Sequence, residues 1–360
     1  MVIALGVGGN WEKVNAATHN FKSFADWCEN RDNLTDSARH TVEVLLEEAE
    51  TQDCQIAEES LANLTTLDLG GSQIENVTPL STLVNLTELS LLVNEVEDVA
   101  PLSSLVNLTK LNLLGNEIED VTPLSSLTSL TKLALGGNKI EDVTPLSSLK
   151  NLTELALLEN EIKDITFLSS LTNLTKLYLG SNDIEDLTPL SSLTNLTELN
   201  LGSNEIKDVT PLSSLINLTS LSLGENEIED VTPLSSLINL IFLNLLENDI
   251  KDITPLSSLI NLTEINLGEN EIEELTPLAS LINLMFLHLE ENDIKDVTPL
   301  SSLINLTSLN LEENEIENIT SLSSLTKLNG VYLWGNPKLI NKTCPVEPQS
   351  ICRFEVLIEN

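Results

Sequence analysis

The chain has 360 residues, of which 56 are Asp or Glu and only 17 are Lys or Arg, so its formal net charge is −39. A charge of this sign and size repels nucleic acid and anionic membrane surfaces, and no apolar run reaches the length of a membrane span. We therefore expect neither nucleic-acid binding nor membrane insertion. A protein partner, including a basic one, and divalent cations both remain compatible with this composition.

Residues 1–17 come before any repeated pattern. Met1–Gly9 is apolar, but it is short and has no basic start. Two interpretations stay open for it: the remnant of a signal peptide whose true start lies upstream, or a tail.

Residues 18–61 predict a helical N-terminal cap over the first repeat. Ser23 can cap one short helix, and Thr35 or Asp36 can cap a second. The second helix carries apolar residues at helical spacing, namely Ala38, Val42, Leu45 and Ala49. Such a helix would cover the apolar edge that a repeat array otherwise exposes to water.

Residues 62–337 repeat one 22-residue pattern, L-x-x-L-x-L-x-x-N-x-I, which predicts thirteen stacked turns with Ser72 at the asparagine position of the first. The asparagines stand at 94, 116, 138, 160, 182, 204, 226, 248, 270, 292, 314 and 336. This period is typical of the leucine-rich repeat, a solenoid in which each turn packs only on its neighbours.

A single turn predicts a strand, an inward asparagine and a short helical return. Leu111 and Leu113 alternate with outward residues, as in a strand, and stacked strands make a parallel sheet. The amide of Asn116 can satisfy backbone groups of neighbouring turns. The segment Thr122–Leu127, TPLSSL, suits a short helix with Thr122 as its N-cap and proline at its first position.

Residues 338–360 break the pattern and predict a C-terminal cap. Thirteen strands make a rod of about 60 Å, so a disulfide can join only Cys28 to Cys54 and Cys344 to Cys352. Two disulfides indicate export to an oxidising compartment, outside the cell, in the periplasm or at the cell surface. The alternative is four reduced thiols in a cytoplasmic protein.

The repeat L-x-x-L-x-L-x-x-N-x-I-x-D-[VI]-T-P-L-S-S-L-x-N resembles that of the bacterial internalin family over residues 62–337. The resemblance implies an α/β solenoid, a right-handed superhelix with the parallel sheet on its concave face and short helical turns on its convex face. It also implies that outward strand residues contact another protein. Carried onto this chain, those positions include Tyr178, Phe242, Phe286 and His288.

Aromatic and leucine side chains at outward positions are the candidate partner-binding residues. Phe242 and Phe286 lie two turns apart in one column, roughly 10 Å, with His288 beside the second and Leu246 nearby. A second apolar column, Leu92, Leu114 and Leu158, lies nearer the N-terminus. The alternative is that these residues are neutral drift within the repeat.

An acidic strip follows the strands of five consecutive turns, at Glu225, Glu247, Glu269, Glu291 and Glu313. Either it keeps the protein soluble, or it docks a basic partner or divalent cations. A further column alternates in sign from Glu141 through Lys163 to Glu317, which predicts ion pairs between adjacent turns.

No pattern in the chain indicates catalysis. The three histidines, His19, His40 and His288, belong to no zinc-protease motif, phosphate loop or nucleophile elbow. We therefore expect no catalytic residue, no metal site and no cofactor. The leading hypothesis is a non-catalytic protein-recognition scaffold, and the alternatives are an acidic structural or cation-binding surface protein and an intracellular regulatory scaffold.

Overall fold

The structure of the protein is a computed structural model that describes residues 21–355. The short apolar start at Met1–Gly9 and His19 lie outside the described residues. So do the whole of segment 1–17, residues 18–20 of the predicted N-terminal cap and residues 356–360 of the predicted C-terminal cap.

Three α-helices precede the sheet, with bounds α1 Phe24–Glu29, α2 Asp36–Glu48 and α3 Cys54–Ala62. The predicted caps are confirmed: Oγ of Ser23 accepts the Asp26 N–H, and Oγ1 of Thr35 accepts the Ala38 N–H. Phe24 and Leu45 are fully buried. The helices therefore close one end of the solenoid core.

Two side chains of α2 fasten the helices to the first turn. Nε2 of His40 donates to the Ser72 carbonyl at 2.7 Å, and Oγ1 of Thr41 donates to the Asn76 carbonyl at 2.7 Å. Both bonds join α2 to the loop that follows β1. His40 thus has a structural role.

Fourteen short strands form one parallel sheet in strict chain order. Neighbouring strands pair in register at a step of 22 residues, so Leu67 faces Leu89 and Leu243 faces Ile265. The strands are β1 Thr66–Asp68, β2 Glu88–Ser90, β3 Lys110–Asn112, β4 Lys132–Ala134, β5 Glu154–Ala156, β6 Lys176–Tyr178, β7 Glu198–Asn200, β8 Ser220–Ser222, β9 Phe242–Asn244, β10 Glu264–Asn266, β11 Phe286–His288, β12 Ser308–Asn310, β13 Gly330–Tyr332 and β14 Cys352–Arg353.

The sheet has one strand more than the thirteen that the repeats predict. Cys352–Arg353 pairs with β13 through Val331 and Tyr332. The guanidinium of Arg353 also lies 4.8 Å from the centre of the Tyr332 ring. The segment after the repeats therefore shields the last strand, whose free N–H and C=O groups would otherwise form an open sheet edge.

The return legs are five-residue 3-10 helices, as in Thr122–Ser126 and Thr232–Ser236. The prediction that Thr122 is an N-cap is wrong. Its backbone N–H donates to Oδ1 of Asp120 at 2.8 Å, so the aspartate two residues earlier caps the helix. Asp and Asn side chains close such turns readily because they reach the N–H two residues on.

An asparagine ladder joins each turn to the one before it. Oδ1 of Asn270 accepts the Ile250 N–H at 3.1 Å, and its Nδ2 donates to the Leu245 carbonyl at 2.9 Å. Asn116 and Asn182 bind their preceding turns in the same way. The inward amides thus satisfy buried backbone groups of two turns, as predicted.

Both predicted disulfides are present. Cys28 and Cys54 join α1 to α3 with their Cα atoms 5.5 Å apart, and Cys344 and Cys352 close the C-terminal segment at 5.6 Å. No cysteine is free. No helix in the described part is long and apolar enough to cross a membrane.

Candidate functional site: the outward face of the sheet

The sheet face, meaning the outward side chains of β1–β13, divides into a charged N-terminal half and a largely uncharged C-terminal half. The first outward position of each strand shows the division best. Ion pairs occupy it in the first half, joining Lys110 to Glu88, Lys132 to Glu154 and Lys176 to Glu198 at 2.6–2.8 Å. In β8–β12 the same column reads Ser220, Phe242, Glu264, Phe286 and Ser308.

Phe242 and Phe286 stand on either side of Glu264, each as its direct partner across the sheet. Phe286 is 40% exposed, and Phe242 is partly exposed. The residues just before them, Ile241 and Met285, are 48% and 41% exposed and replace the threonine found there in most turns. The two predicted phenylalanines thus belong to one apolar patch that includes Ile241 and Met285.

Polar side chains border this patch. Nδ1 of His288 lies 3.9 Å from Oε2 of Glu290. That oxygen is buried and makes no hydrogen bond within the described residues. Leu246 is partly exposed at the same outward position two turns earlier. Sequence reasoning missed Glu290, although its position, glycine or leucine in most other turns, is a signal that could have found it.

Tyr178 lies outside this patch, and its hydroxyl is already hydrogen-bonded to a neighbouring residue of the sheet face. Its hydroxyl donates to Oε1 of Glu198 at 2.8 Å, while Lys176 binds Oε2 of the same carboxylate. Burial and this bond raise the pKa of Tyr178 to about 12. The bond with Lys176 lowers the pKa of Glu198.

The second apolar column is only partly available. Leu92 and Leu158 lean over Gly70 and Gly136 of the preceding turns, so close that a methyl group on Gly136 would lie 2.9 Å from Cγ of Leu158. Leu92 is exposed, whereas Leu114 and Leu158 are half-buried. A hollow of about 560 Å³ over β1–β5 is lined instead by charged side chains such as Lys110 and Glu154 and by the small Ala134 and Ala156, and none of the three leucines lines it.

The acidic strip lies at the end of the strands, where the chain leaves the sheet. Glu225, Glu247, Glu269, Glu291 and Glu313 all have left-handed backbone angles, with φ between 47° and 57°. Gly115 and Gly137 hold the equivalent place in earlier turns. Burial and the neighbouring carboxylates Glu291 and Glu247 raise the pKa of Glu269.

The alternating charge column forms fewer of its predicted pairs than expected. Lys295 does bind Glu273 in the same column at 3.5 Å. Lys163, Lys207 and Lys251 instead bind Asp183, Glu227 and Glu271, which lie in the acidic loop of the next turn. The prediction is wrong for these three lysines, because each ammonium group lies 2.8–3.5 Å from a loop carboxylate of the next turn and pairs with that group instead.

Five exposed isoleucines form a second apolar feature that sequence reasoning missed. Each lies where the chain approaches its strand, on what we name the entry flank, opposite the acidic exit flank. They are 52–56% exposed on five consecutive turns. We name them the isoleucine row: Ile216, Ile238, Ile260, Ile282 and Ile304.

The geometry defines a leucine-rich repeat protein, and comparison with known proteins agrees. The family model for leucine-rich repeats in two copies matches residues 84–126, 128–170, 150–192, 172–214 and 194–236. The chain belongs to the internalin family: a crystal structure of an internalin (inlF) from Listeria monocytogenes shares 32% identity, covering 81% of this chain and 94% of that one at a TM-score of 0.72. The predicted right-handed superhelix with a concave parallel sheet is thus confirmed.

Two further solved structures are similar to this chain. Internalin C2 (inlC2) from Listeria monocytogenes is 41% identical over 48% of this chain and 76% of that one, at a TM-score of 0.48. A leucine-rich repeat protein from Leptospira interrogans, at 22% identity, covers 83% of this chain and 92% of its own at a TM-score of 0.58. A search of curated proteins found no match.

Proposed function

We propose that this protein is a non-catalytic recognition scaffold that binds a protein partner through its concave sheet face, centred on Phe242 and Phe286. Leucine-rich repeat proteins are interaction scaffolds, and a rigid sheet holds aromatic side chains with little loss of entropy on binding. The observation that carries the proposal is the exposed Phe286 and the partly exposed Phe242 in one column, flanked by Ile241 and Met285.

The border of the patch favours a partner that offers a hydrogen-bond donor or a basic group. The unpaired Oε2 of Glu290 beside His288 would accept such a donor, and a buried acceptor gains most when it is finally bonded. A partner that seats an apolar side chain between the two phenylalanines would also approach Glu264. Tyr178 and Leu246 would contact only a larger partner.

Export is the localisation that we propose, because both disulfides join Cα atoms at ordinary separations and leave no free thiol. Among the described residues, no three side chains of His, Cys, Asp or Glu lie together as metal ligands. No observation therefore favours the cation-binding alternative.

The test is to capture a partner from the native source with the intact chain, purify it and measure its affinity. Replacing Phe242 and Phe286 together with Ala should weaken binding roughly 10- to 100-fold, as for anchor residues at an interface centre. The matched control changes Ser220 and Ser308 to Ala, the adjacent positions of the same column, and should leave affinity unchanged. Equal affinities of the phenylalanine variant and the intact chain would contradict the proposal.

A further inference from the structure

The isoleucine row is an exposed apolar feature of the described surface that the proposed partner site does not use. Its five members stand one turn apart, because each precedes a strand that pairs in register with its neighbours. At the spacing of paired strands the row is roughly 20 Å long. Thr194 and Thr326 hold the same position in the turns at either end, so the row has a definite length and centre.

The entry flank around the row carries little charge in a chain whose net charge is −39, although Nζ of Lys327 reaches its C-terminal end and donates to Oδ1 of Asn305 at 2.7 Å. From the start of each 3-10 helix to the residue before the strand, the five turns of the row contain no ionisable side chain. These segments, 210–219, 232–241, 254–263, 276–285 and 298–307, share this property with 78–87, 100–109, 122–131, 166–175 and 188–197, so the isoleucines and not the lack of charge distinguish the row. In turns nearer the N-terminus the row position holds Thr128, Lys150, Thr172 and Thr194, and in the first two turns it holds the exposed Val84 and Val106.

We infer that the isoleucine row is a self-association surface that packs against the row of a second copy of this chain. Two chains of the same high negative charge repel each other unless they meet through an uncharged side. Contact through the entry flanks places the acidic exit flanks of both copies on the outside of the pair. A basic partner would instead be drawn to the exit flank.

The spacing of the row also fits a second copy better than a foreign surface. The five isoleucines are evenly spaced, one per turn. Every isoleucine of one row can therefore meet an isoleucine of a second row that has the same spacing. A two-fold axis through Ile260 places Ile216 of one copy against Ile304 of the other, and Ile238 against Ile282. Each contact between two different residues then occurs twice in the pair, and Ile260 meets its own copy on the axis, as in the closed interfaces of symmetric dimers.

The area is large enough for a specific contact. At roughly 100 Å² of exposed surface apiece, the five isoleucines present about 500 Å², a size at which apolar patches mark interaction sites. Flanking serines and asparagines of the same segments would bring each copy toward the roughly 800 Å² of a standard interface. The phenylalanines on the sheet face are not needed for this contact.

The first test measures mass against concentration by analytical ultracentrifugation of the full chain. We expect a reversible dimer, and Ile238→Glu with Ile282→Glu should raise its dissociation constant roughly 100-fold or more, because unpaired carboxylates would be buried. The control, Thr128→Glu with Thr172→Glu, adds the same charge at the same position and with the same two-turn spacing, three to seven turns from the substituted isoleucines, and should leave the dimer intact. A chain that stays monomeric at every concentration reached would overturn the inference, as would a dimer that the isoleucine variant does not weaken.

Introduced thiols test the two-fold arrangement. All native cysteines are in disulfides, so a new cysteine is the sole free thiol. Ile260→Cys should cross-link to itself on mild oxidation, whereas Ile304→Cys should not, since its two copies would stand roughly 20 Å apart. A mixture of Ile304→Cys and Ile216→Cys chains should cross-link. Efficient self-linking of Ile304→Cys would overturn the two-fold packing, and loss of partner binding in the phenylalanine variant would not affect any of these results.

Discussion

The hydroxyl of Tyr178 donates a 2.8 Å hydrogen bond to Oε1 of Glu198, the outward residue of the next strand. Since Lys176 binds Oε2 of the same carboxylate, three side chains on two strands form one network. This network occupies the middle of the sheet face, between the hollow over β1–β5 and the phenylalanine patch. It separates a polar surface from an apolar one.

Ionisation of Tyr178 should occur only in strong alkali. Its pKa, about 12, is raised first by burial and then by Glu198. Because the unfolded value is about 10, the stabilisation from the neutral phenol is fully present below that pH and is lost as the pH rises through the folded value. Absorbance titration of the Tyr332→Phe variant isolates the Tyr178 signal. Adding Glu198→Gln should bring the titration to lower pH, and no change would contradict the assigned cause.

Aspartates that cap the 3-10 helices should make the array sensitive to acid. The bond from the Thr232 side chain and then that from its backbone N–H lower the pKa of Asp230. A lowered folded pKa gives stability that is present above the unfolded value of about 3.9 and is lost as the pH falls through the folded value. The same direction holds for Asp120, Asp164, Asp186, Asp208, Asp252 and Asp296.

Substitution at one cap separates hydrogen bonding from charge. Asp230→Ala should lower the free energy of unfolding by about 1 kcal/mol at neutral pH, the usual cost of removing a helix-start acceptor. Asp230→Asn should retain most of the stability, because Asn76 and Asn318 already cap their own helices. Urea unfolding at neutral and acid pH measures both. A greater loss in acid for the Asn variant than for the intact chain would contradict the assignment.

The inward asparagines should be far more sensitive than the outward ones. Asn270→Ala leaves the buried Ile250 N–H and Leu245 carbonyl without partners and should cost about 3 kcal/mol. Asn261 also binds a neighbouring turn, through the Ile238 carbonyl, but it is exposed, so Asn261→Ala should cost less than about 1 kcal/mol. Urea unfolding compares the two, and similar losses would argue against a special role for the inner ladder.

Removing one carboxylate of the acidic strip should stabilise the protein. Glu269 has φ of 53°, an angle that glycine adopts without steric cost. Glu269→Gly should therefore raise the free energy of unfolding by about 1 kcal/mol, through relief of this strain and of repulsion from its neighbours. Glu269→Ala removes the charge but keeps the strained Cβ, so its gain should be smaller. Thermal unfolding of both variants decides which effect dominates.

The fold was readable from the sequence because one spacing governs it. Leucines at fixed steps of 22 residues leave a single way to bury the apolar side chains, and Asn270 or Asn116 must then face inward. The capping role of Asp120 was not readable in the same way. Thr122 satisfies the usual N-cap preference, and only the geometry shows that its N–H already has an acceptor.

The candidate site was only partly predictable. Phe242 and Phe286 were found because they alternate with buried leucines along a strand. The isoleucine row was not predicted, because the sequence alone does not distinguish an apolar residue beside Leu215 or Leu237 from a member of the core. Lys150 and Thr172 at the same step were the available signal, since a position that accepts lysine in one turn faces solvent in all of them.

Each inner asparagine forms its bonds with the preceding turn at one fixed separation along the chain. Deleting a complete unit, for example residues 205–226, would present the new junction with the same donors and acceptors at the same places. The array can therefore lose or gain whole 22-residue units while each inward asparagine still forms its hydrogen bonds with the turn before it. The isoleucine row would then lose Ile216, and its centre would lie between two residues instead of on Ile260. A change in the number of repeats therefore changes how two copies pack together before it changes the fold.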